Sequence, residues 1–261
     1  MLILLPPSEG KTPATAGDPL DHDRLWLPAL APARKRVQTR LVALCRRTSA
    51  RSVAESLRVL GLGDGQRDEL ARNAVLAEAP AAPAAEIYTG VLYEALGAGT
   101  LAPAARAWLD ETAVVFSGLW GVVRLTDRIP AYRCSVGVTL PAVGGLTAYW
   151  RKALKPKLDP AAAGGPVLDL RSGAYAGMWA PPGPETATMR VLHERDGRRT
   201  VVSHFNKATK GRIVRSLAEA GAALESIDDV VAALKELGCT VEESGTAPGR
   251  PRQLDVIVAE L

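Results

Sequence analysis

The stretch Ala113-Val-Val-Phe-Ser-Gly-Leu-Trp-Gly-Val-Val-Arg124 decides how this chain is read. Its opening run, Ala113 to Phe116, is wholly apolar and reads as a buried strand. Gly118 and Gly121 then break the run around Trp120. Polar groups crowd the same region: Ser117, Arg124, Asp127, Arg128, Tyr132 and Arg133. A glycine-punctuated turn at the end of a buried strand is where α/β proteins place ligand groups, because the backbone can approach closely and strand ends open into a crevice. The same residues also suit a plain turn followed by a salt-bridged surface loop, and composition alone leaves both readings open.

Toward the N-terminus, Leu2 to Leu5 reads as a second buried strand, running into Pro6-Pro7-Ser8-Glu9-Gly10-Lys11-Thr12. Gly10-Lys11-Thr12 looks like the close of a Walker A loop. Leu5 stands where the first glycine belongs, however, and Pro13 opposes the helix that must follow. A P-loop nucleoside triphosphatase is excluded on those grounds. What remains is a strand-end loop offering Ser8 and Lys11 to an anion, or a solvated turn.

Between the two strands, Pro32 to Leu109 reads as a mostly helical insertion. Pro32 suits the first turn of a helix with Val37, Leu41, Leu44 and Cys45 at helical spacing. Val53 to Leu60, then Gly61-Leu62-Gly63-Asp64-Gly65, then Gln66 to Asn73 read as helix, glycine hairpin, helix. Leu60-Gly61-Leu62-Gly63 fits the apolar-Gly-apolar-Gly core of a helix-hairpin-helix, whose N–H groups at the start of the second helix face a phosphate. Gly61, Gly63 and Arg67 are then candidate nucleic-acid contacts that touch backbone rather than bases. A common αα-hairpin with a glycine cap is the alternative. Ala85 to Leu96 is expected as one helix with Tyr88, Leu92 and Leu96 on its core stripe, and Ala104 to Asp110 as another.

Toward the C-terminus, Cys134 to Leu140 alternates like a strand, and Leu146 to Leu154 reads as a helix. Pro166 to Leu170 is a further strand. Thr188 to Glu194 and Arg199 to Ser203 flank Asp196-Gly197, a hairpin signal. Asn206 suits an N-cap, followed by Lys207, Lys210 and Val214 at helical spacing. Two cations at a helix N-terminus are unfavourable unless an anion answers them, which singles out Lys207 and Lys210 as ligand candidates. A helix over Asp228 to Leu237 and strands near Cys239 to Glu243 and Gln253 to Glu260 complete an α+β domain.

The chain has 261 residues, 47% hydrophobic and 23% charged, enough for a substantial core. A net charge of +4 allows an anionic partner without demanding one. Cys45, Cys134 and Cys239 are isolated and form no CxxC pair, so neither a zinc site nor a disulfide framework is indicated. His22, His193 and His204 lack metal spacing, and no cofactor or metal is expected. The apolar start is too short for a signal peptide and no membrane-length run occurs, so a cytoplasmic location is expected.

The order and spacing of several blocks resemble the YaaA family, bacterial proteins linked to peroxide stress. These are Leu5-Pro6-Pro7-Ser8-Glu9-Gly10-Lys11, Tyr88-Thr-Gly-Val-Leu-Tyr93, Ser117-Gly-Leu-Trp-Gly121 with Asp127, Ile129-Pro130 and Tyr132-Arg133, and Ser203-His-Phe-Asn-Lys207 with Lys210-Gly211 and Arg215. The resemblance covers nearly the whole chain. It implies a single mixed-sheet domain with a positively charged cleft and a helix-hairpin-helix, able to bind DNA, and a role in limiting oxidative DNA damage. Trp120 stands where the family commonly has Tyr, and Lys210 where it commonly has Arg.

Two functions follow as expectations. One is a nucleic-acid-binding stress protein that grips the duplex backbone without sequence specificity. The other is an enzyme acting on a nucleobase, nucleotide or related phosphate-bearing metabolite. There Ser8, Lys11, Arg133, Lys207 and Lys210 would hold the phosphate, and Asp127, Tyr132 and Ser117 would carry the chemistry, with Asp127 as general base or as the group orienting the substrate and Tyr132 as acid. A monomer is the expected oligomeric state.

Overall fold

The computed structural model describes residues 1–171, 173–195, 198–200, 203–221, 223–244 and 251–258. Within them one mixed sheet has eight strands: β1 (Leu2–Leu5), β2 (Ala113–Ser117), β3 (Gly121–Arg124), β4 (Val167–Asp169), β5 (Thr186–Arg195), β6 (Arg198–Thr200), β7 (Thr240–Ser244) and β8 (Arg252–Val258). Their order is β7-β8-β5-β4-β1-β2-β3, with β6 paired to β5. β1 runs parallel to both neighbours, with Leu5 opposite Val115 and Leu4 opposite Asp169. Every residue of β1 and β2 is buried. That burial is why both read as unbroken apolar runs, since a strand inside a parallel sheet has no wet face. β3 and β7 turn back antiparallel at the two edges.

Six helices lie between β1 and β2: α1 (Ala31–Cys45), α2 (Ala50–Leu60), α3 (Arg67–Ala74), α4 (Ala84–Ile87), α5 (Val91–Leu96) and α6 (Pro103–Thr112). Later come α7 (Leu146–Ala162), α8 (Gly173–Ala176), α9 (Ser203–Ala220) and α10 (Ile227–Glu236). Gly61 closes α2 in the left-handed conformation at φ 66°, and a 3-10 turn, Asp64–Gln66, leads into α3. None of the helices described is long and apolar enough to cross a membrane.

Four local expectations are corrected. The helix expected from Ala85 to Leu96 is split into α4 and α5. Lys11 forms a β-bridge with Tyr88, while Thr12 N–H donates to Ile87 and Thr89 N–H to Gly10, so the backbone at the break serves a distant loop instead of a helix. Cys134 to Leu140 alternates, but among the described residues only Thr139–Leu140 has a strand partner, Gly144–Gly145. α7 runs on to Ala162 through Pro156 and Pro160, both exposed, where a carbonyl left without its N–H can turn to water. Asn206 lies inside α9, which starts at Ser203, so it is not the N-cap. The hairpin residues Asp196-Gly197 lie outside the described residues; the strands they join, β5 and β6, do pair antiparallel.

Candidate functional site

The loops leaving the carboxyl ends of β1 and β4 meet α5 and the first turns of α9. The chain leaves β1 toward β2 on one side and comes back as β4 on the other, so the strand ends part here. A crevice at such a point is where open α/β sheets take ligands. It holds a cavity of about 650 Å³, lined by Pro6–Gly10, Thr89–Tyr93, Leu170, Tyr175, Asn206, Lys207 and Lys210.

Close packing fixes its walls. A Cβ at Gly211 would overlap the Leu92 carbonyl and come within 3.0 Å of Ala95 Cβ, so α9 approaches α5 only because residue 211 is glycine. One residue earlier, Lys210 donates from Nζ to the Leu170 carbonyl at 3.1 Å. Burial lowers its pKa, with the Asp169 charge opposing. Asp169 is itself neutralised by Arg171 in a buried bidentate pair at 2.8 and 2.6 Å. Arg171 also donates to the Tyr175 and Trp179 carbonyls, which clamps the β4 loop. Tyr93 donates to the Pro6 carbonyl at 2.7 Å and ties α5 to the β1 loop. Asn206 Oδ1 is buried with no hydrogen-bond partner among the described residues.

Behind Ser8 and Gly10 lies Lys11. Its Nζ donates to the Ser8 carbonyl at 2.7 Å and sits 4.3 Å from the Tyr132 ring centroid and 5.5 Å from that of Tyr88. Burial brings its pKa down to about 8, with Arg133 pushing the same way and Glu9 opposing. Below it runs a buried chain of hydroxyls: Ser117 to Tyr132 at 2.6 Å, and Tyr132 to Tyr88 at 2.9 Å. Ser117 Oγ accepts the N–H groups of Leu119 and Trp120, so its own proton goes to Tyr132, which shares a second hydroxyl bond with Tyr88. Burial raises the Tyr132 pKa well above the ordinary phenol value. Arg133 pairs with Glu9 at 2.7 Å. Its backbone is fixed by Asn73 of α3, which donates to the Arg133 carbonyl at 2.7 Å and accepts from its N–H at 2.9 Å.

The sequence candidates therefore fall into three places. Ser8, Lys207 and Lys210 line the cavity, and Lys11 and Arg133 attach to its wall through Ser8 and Glu9. Ser117 and Tyr132 lie beneath Lys11. Asp127 does not line the cavity. Its two oxygens accept the N–H groups of Trp26, at 3.0 and 3.1 Å, and Arg124, at 2.9 Å, which fastens the segment before α1 to the turn after β3. Burial raises its pKa against those hydrogen bonds. Gly61, Gly63 and Arg67 also lie off the cavity: Gly63 N–H is taken by Gln66 Oε1 at 3.1 Å, and Arg67 pairs with Asp64 at 2.8 Å.

The glycines of the central turn serve packing, not approach of a ligand. A Cβ on Gly118 would strike the backbone of Cys134 to Val136, and one on Gly121, at φ 73°, would strike the Trp150 indole at 2.7 Å. Trp150 in turn donates to the Gly118 carbonyl at 2.8 Å. Glu9, Tyr175 and Asn206 escaped the sequence reading as site residues because nothing local in their surroundings tells that distant loops meet there. Burial pushes the Cys45 and Cys134 thiols up to about 11 and 12. Among the described residues no group of three His, Cys, Asp or Glu side chains comes together as a metal site.

The profile of the family described as Peroxide stress protein YaaA matches residues 1–244. A UPF0246 protein of Streptomyces coelicolor is 52% identical over 265 residues, covering 100% of both chains. One of Corynebacterium efficiens is 41% identical, covering 99% of this chain and 100% of its own. An uncharacterised protein of Campylobacter jejuni is 26% identical, covering 81% and 82%. With the profile spanning nearly the whole sequence, the chain belongs to the peroxide stress protein YaaA family.

Proposed function

We propose that the crevice binds the phosphate of a small metabolite, such as a nucleotide or sugar phosphate, and acts on it. The carrying observation is that Ser8, Lys207, Lys210 and Asn206, whose buried Oδ1 has no partner among the described residues, share one cavity at the strand ends. A volume of about 650 Å³ suits a ligand of nucleotide size, within the ordinary range of roughly 300–1,000 Å³. The charge balance supports an anion: Lys207 and Lys210 line the cavity, Lys11 and Arg133 stand at its wall, and Glu9 is the one carboxylate among its described lining residues. In this reading Lys207 and Lys210 hold the phosphate, Ser8 shapes the loop through its hydroxyl bonds to the Gly10 carbonyl and Thr89 N–H, and Tyr132 and Ser117 support Lys11 from below. Asp127 acts as a positioning residue through the turn that it fastens.

Duplex binding is the second reading. It is favoured by the exposed cations Arg151, Lys152 and Lys155, which line one surface hollow on α7 and could meet a phosphate backbone. The glycine hairpin adds little to it. Gly63 N–H is already used, Asp64, Asp68 and Glu69 crowd the same end, and these acids repel phosphate. One panel separates the two. Thermal shifts with pyrophosphate, nucleotides and sugar phosphates are set beside a gel-shift series on duplex DNA across salt. A metabolite shift lost in Lys207→Ala/Lys210→Ala supports the small ligand. Steeply salt-dependent DNA binding with no metabolite shift supports the duplex instead.

A further inference from the structure

Glu9 lines the crevice, and its side chain is 60% exposed. Its Oε2 lies 2.7 Å from Nη1 of Arg133, whose side chain is 23% exposed. The same Nη1 donates to the Glu9 carbonyl at 3.3 Å. Arg133 itself is not among the lining residues, and its guanidinium meets the crevice through Glu9.

The two partners are not held alike. Asn73 of α3 fixes the Arg133 backbone from both sides, accepting from its N–H at 2.9 Å and donating to its carbonyl at 2.7 Å. Among the described residues no other hydrogen bond or ion pair holds the Glu9 carboxylate. Arg133 is therefore the fixed member of the pair and Glu9 the one free to swing. The carboxylate meets the guanidinium through a single nitrogen, whereas arginine can offer a two-pronged fork. Exposed pairs of this kind are weak. A phosphate monoester brings more charge than a carboxylate and three acceptor oxygens, so it can take the arginine over.

We propose that Glu9 is a stand-in for the ligand: its carboxylate occupies Arg133 in the free protein, and a phosphate oxygen displaces it when the metabolite binds. The proposal rests on the crevice being a phosphate site, and it adds Arg133 to Lys207 and Lys210 as a contact made only after the exchange. One anion replaces another on the guanidinium, and Glu9 turns out to water. The ligand is then held from two walls, by the lysines of α9 and by the arginine behind the β1 loop. The carboxylate meanwhile keeps an otherwise exposed cation from taking up stray anions, so the ligand must bind strongly enough to open the pair.

A double-mutant cycle on the full chain tests this. Pyrophosphate is titrated calorimetrically at about 0.15 M salt, where charges more than roughly 8 Å apart are screened. Glu9→Gln is expected to tighten binding at least about five-fold with Arg133 present but less than about two-fold in Arg133→Gln, since only the first case releases a cation. Equal tightening in both backgrounds overturns the proposal, because Glu9 would then act by repulsion alone. No tightening in either background also overturns it. Labelling by phenylglyoxal, read at Arg133 by mass spectrometry, leaves the arginine in place. It is expected to run faster in Glu9→Gln than in wild type, and to be slowed at least several-fold by pyrophosphate in both. Pyrophosphate that binds yet leaves Arg133 labelling unslowed sinks the stand-in while the crevice reading survives. If pyrophosphate binds neither wild type nor Glu9→Gln, the crevice reading fails, and the stand-in fails with it.

Discussion

At Asp127 two carboxylate oxygens meet two backbone N–H groups, and replacing one oxygen by an amide turns an acceptor into a donor facing a donor. Asp127→Asn is therefore expected to cost about 1–3 kcal/mol of stability, read by denaturant unfolding. A loss of turnover at unchanged stability would return Asp127 to the role of general base. Lys11 gives a pH-dependent counterpart. Its folded pKa, about 8, lies below the unfolded value near 10.5, so between those pH values the unfolded chain binds more protons and folding gains as pH rises. Below pH 8 both states are protonated and the cost is fully present. The stability difference between wild type and Lys11→Met is expected to move in favour of wild type across pH 8–10.5, by up to about 3 kcal/mol. A difference that stays flat with pH would mean that the amine is solvated. Taking the difference cancels the tyrosines and thiols that ionise in the unfolded chain over the same range.

Among elements, the contact between α5 and α9 governs the cavity. Ala is the better helix former by about 0.5–1 kcal/mol, so propensity alone would make Gly211→Ala stabilising. The overlap with the Leu92 carbonyl predicts the reverse: a loss of about 1–3 kcal/mol, with weaker pyrophosphate binding as Lys207 and Lys210 are carried away from Ser8. A variant that melts higher than wild type would contradict the close approach. Elements were legible in the sequence where one property decided them. The strands Leu2–Leu5 and Ala113–Ser117 are apolar throughout because they are buried throughout. They were illegible where a distant partner decided. The break in Ala85 to Leu96 comes from Lys11, far away in sequence, and the alternation of Cys134 to Leu140 carries no information about whether a neighbouring strand exists. The glycines of Ser117-Gly-Leu-Trp-Gly121 were visible, but their reason, Trp150 and the Cys134–Val136 backbone, was not.

Across the whole molecule, a mixed sheet brings the loops after β1 and β4 to α9 although long stretches of chain separate them. The sequence offered Ser8, Lys207 and Lys210 as anion ligands separately, from a strand-end loop and a helix start; only the strand order unites them. The account's central claim is that this meeting point holds phosphate. It is tested most directly by calorimetric titration of pyrophosphate into wild type and into Lys207→Ala/Lys210→Ala. Charge-assisted hydrogen bonds of about 1.5–3 kcal/mol each predict saturable one-to-one binding by wild type, weakened at least about a hundred-fold in the double variant. Equal binding by both proteins, or none by wild type at millimolar pyrophosphate, would contradict it.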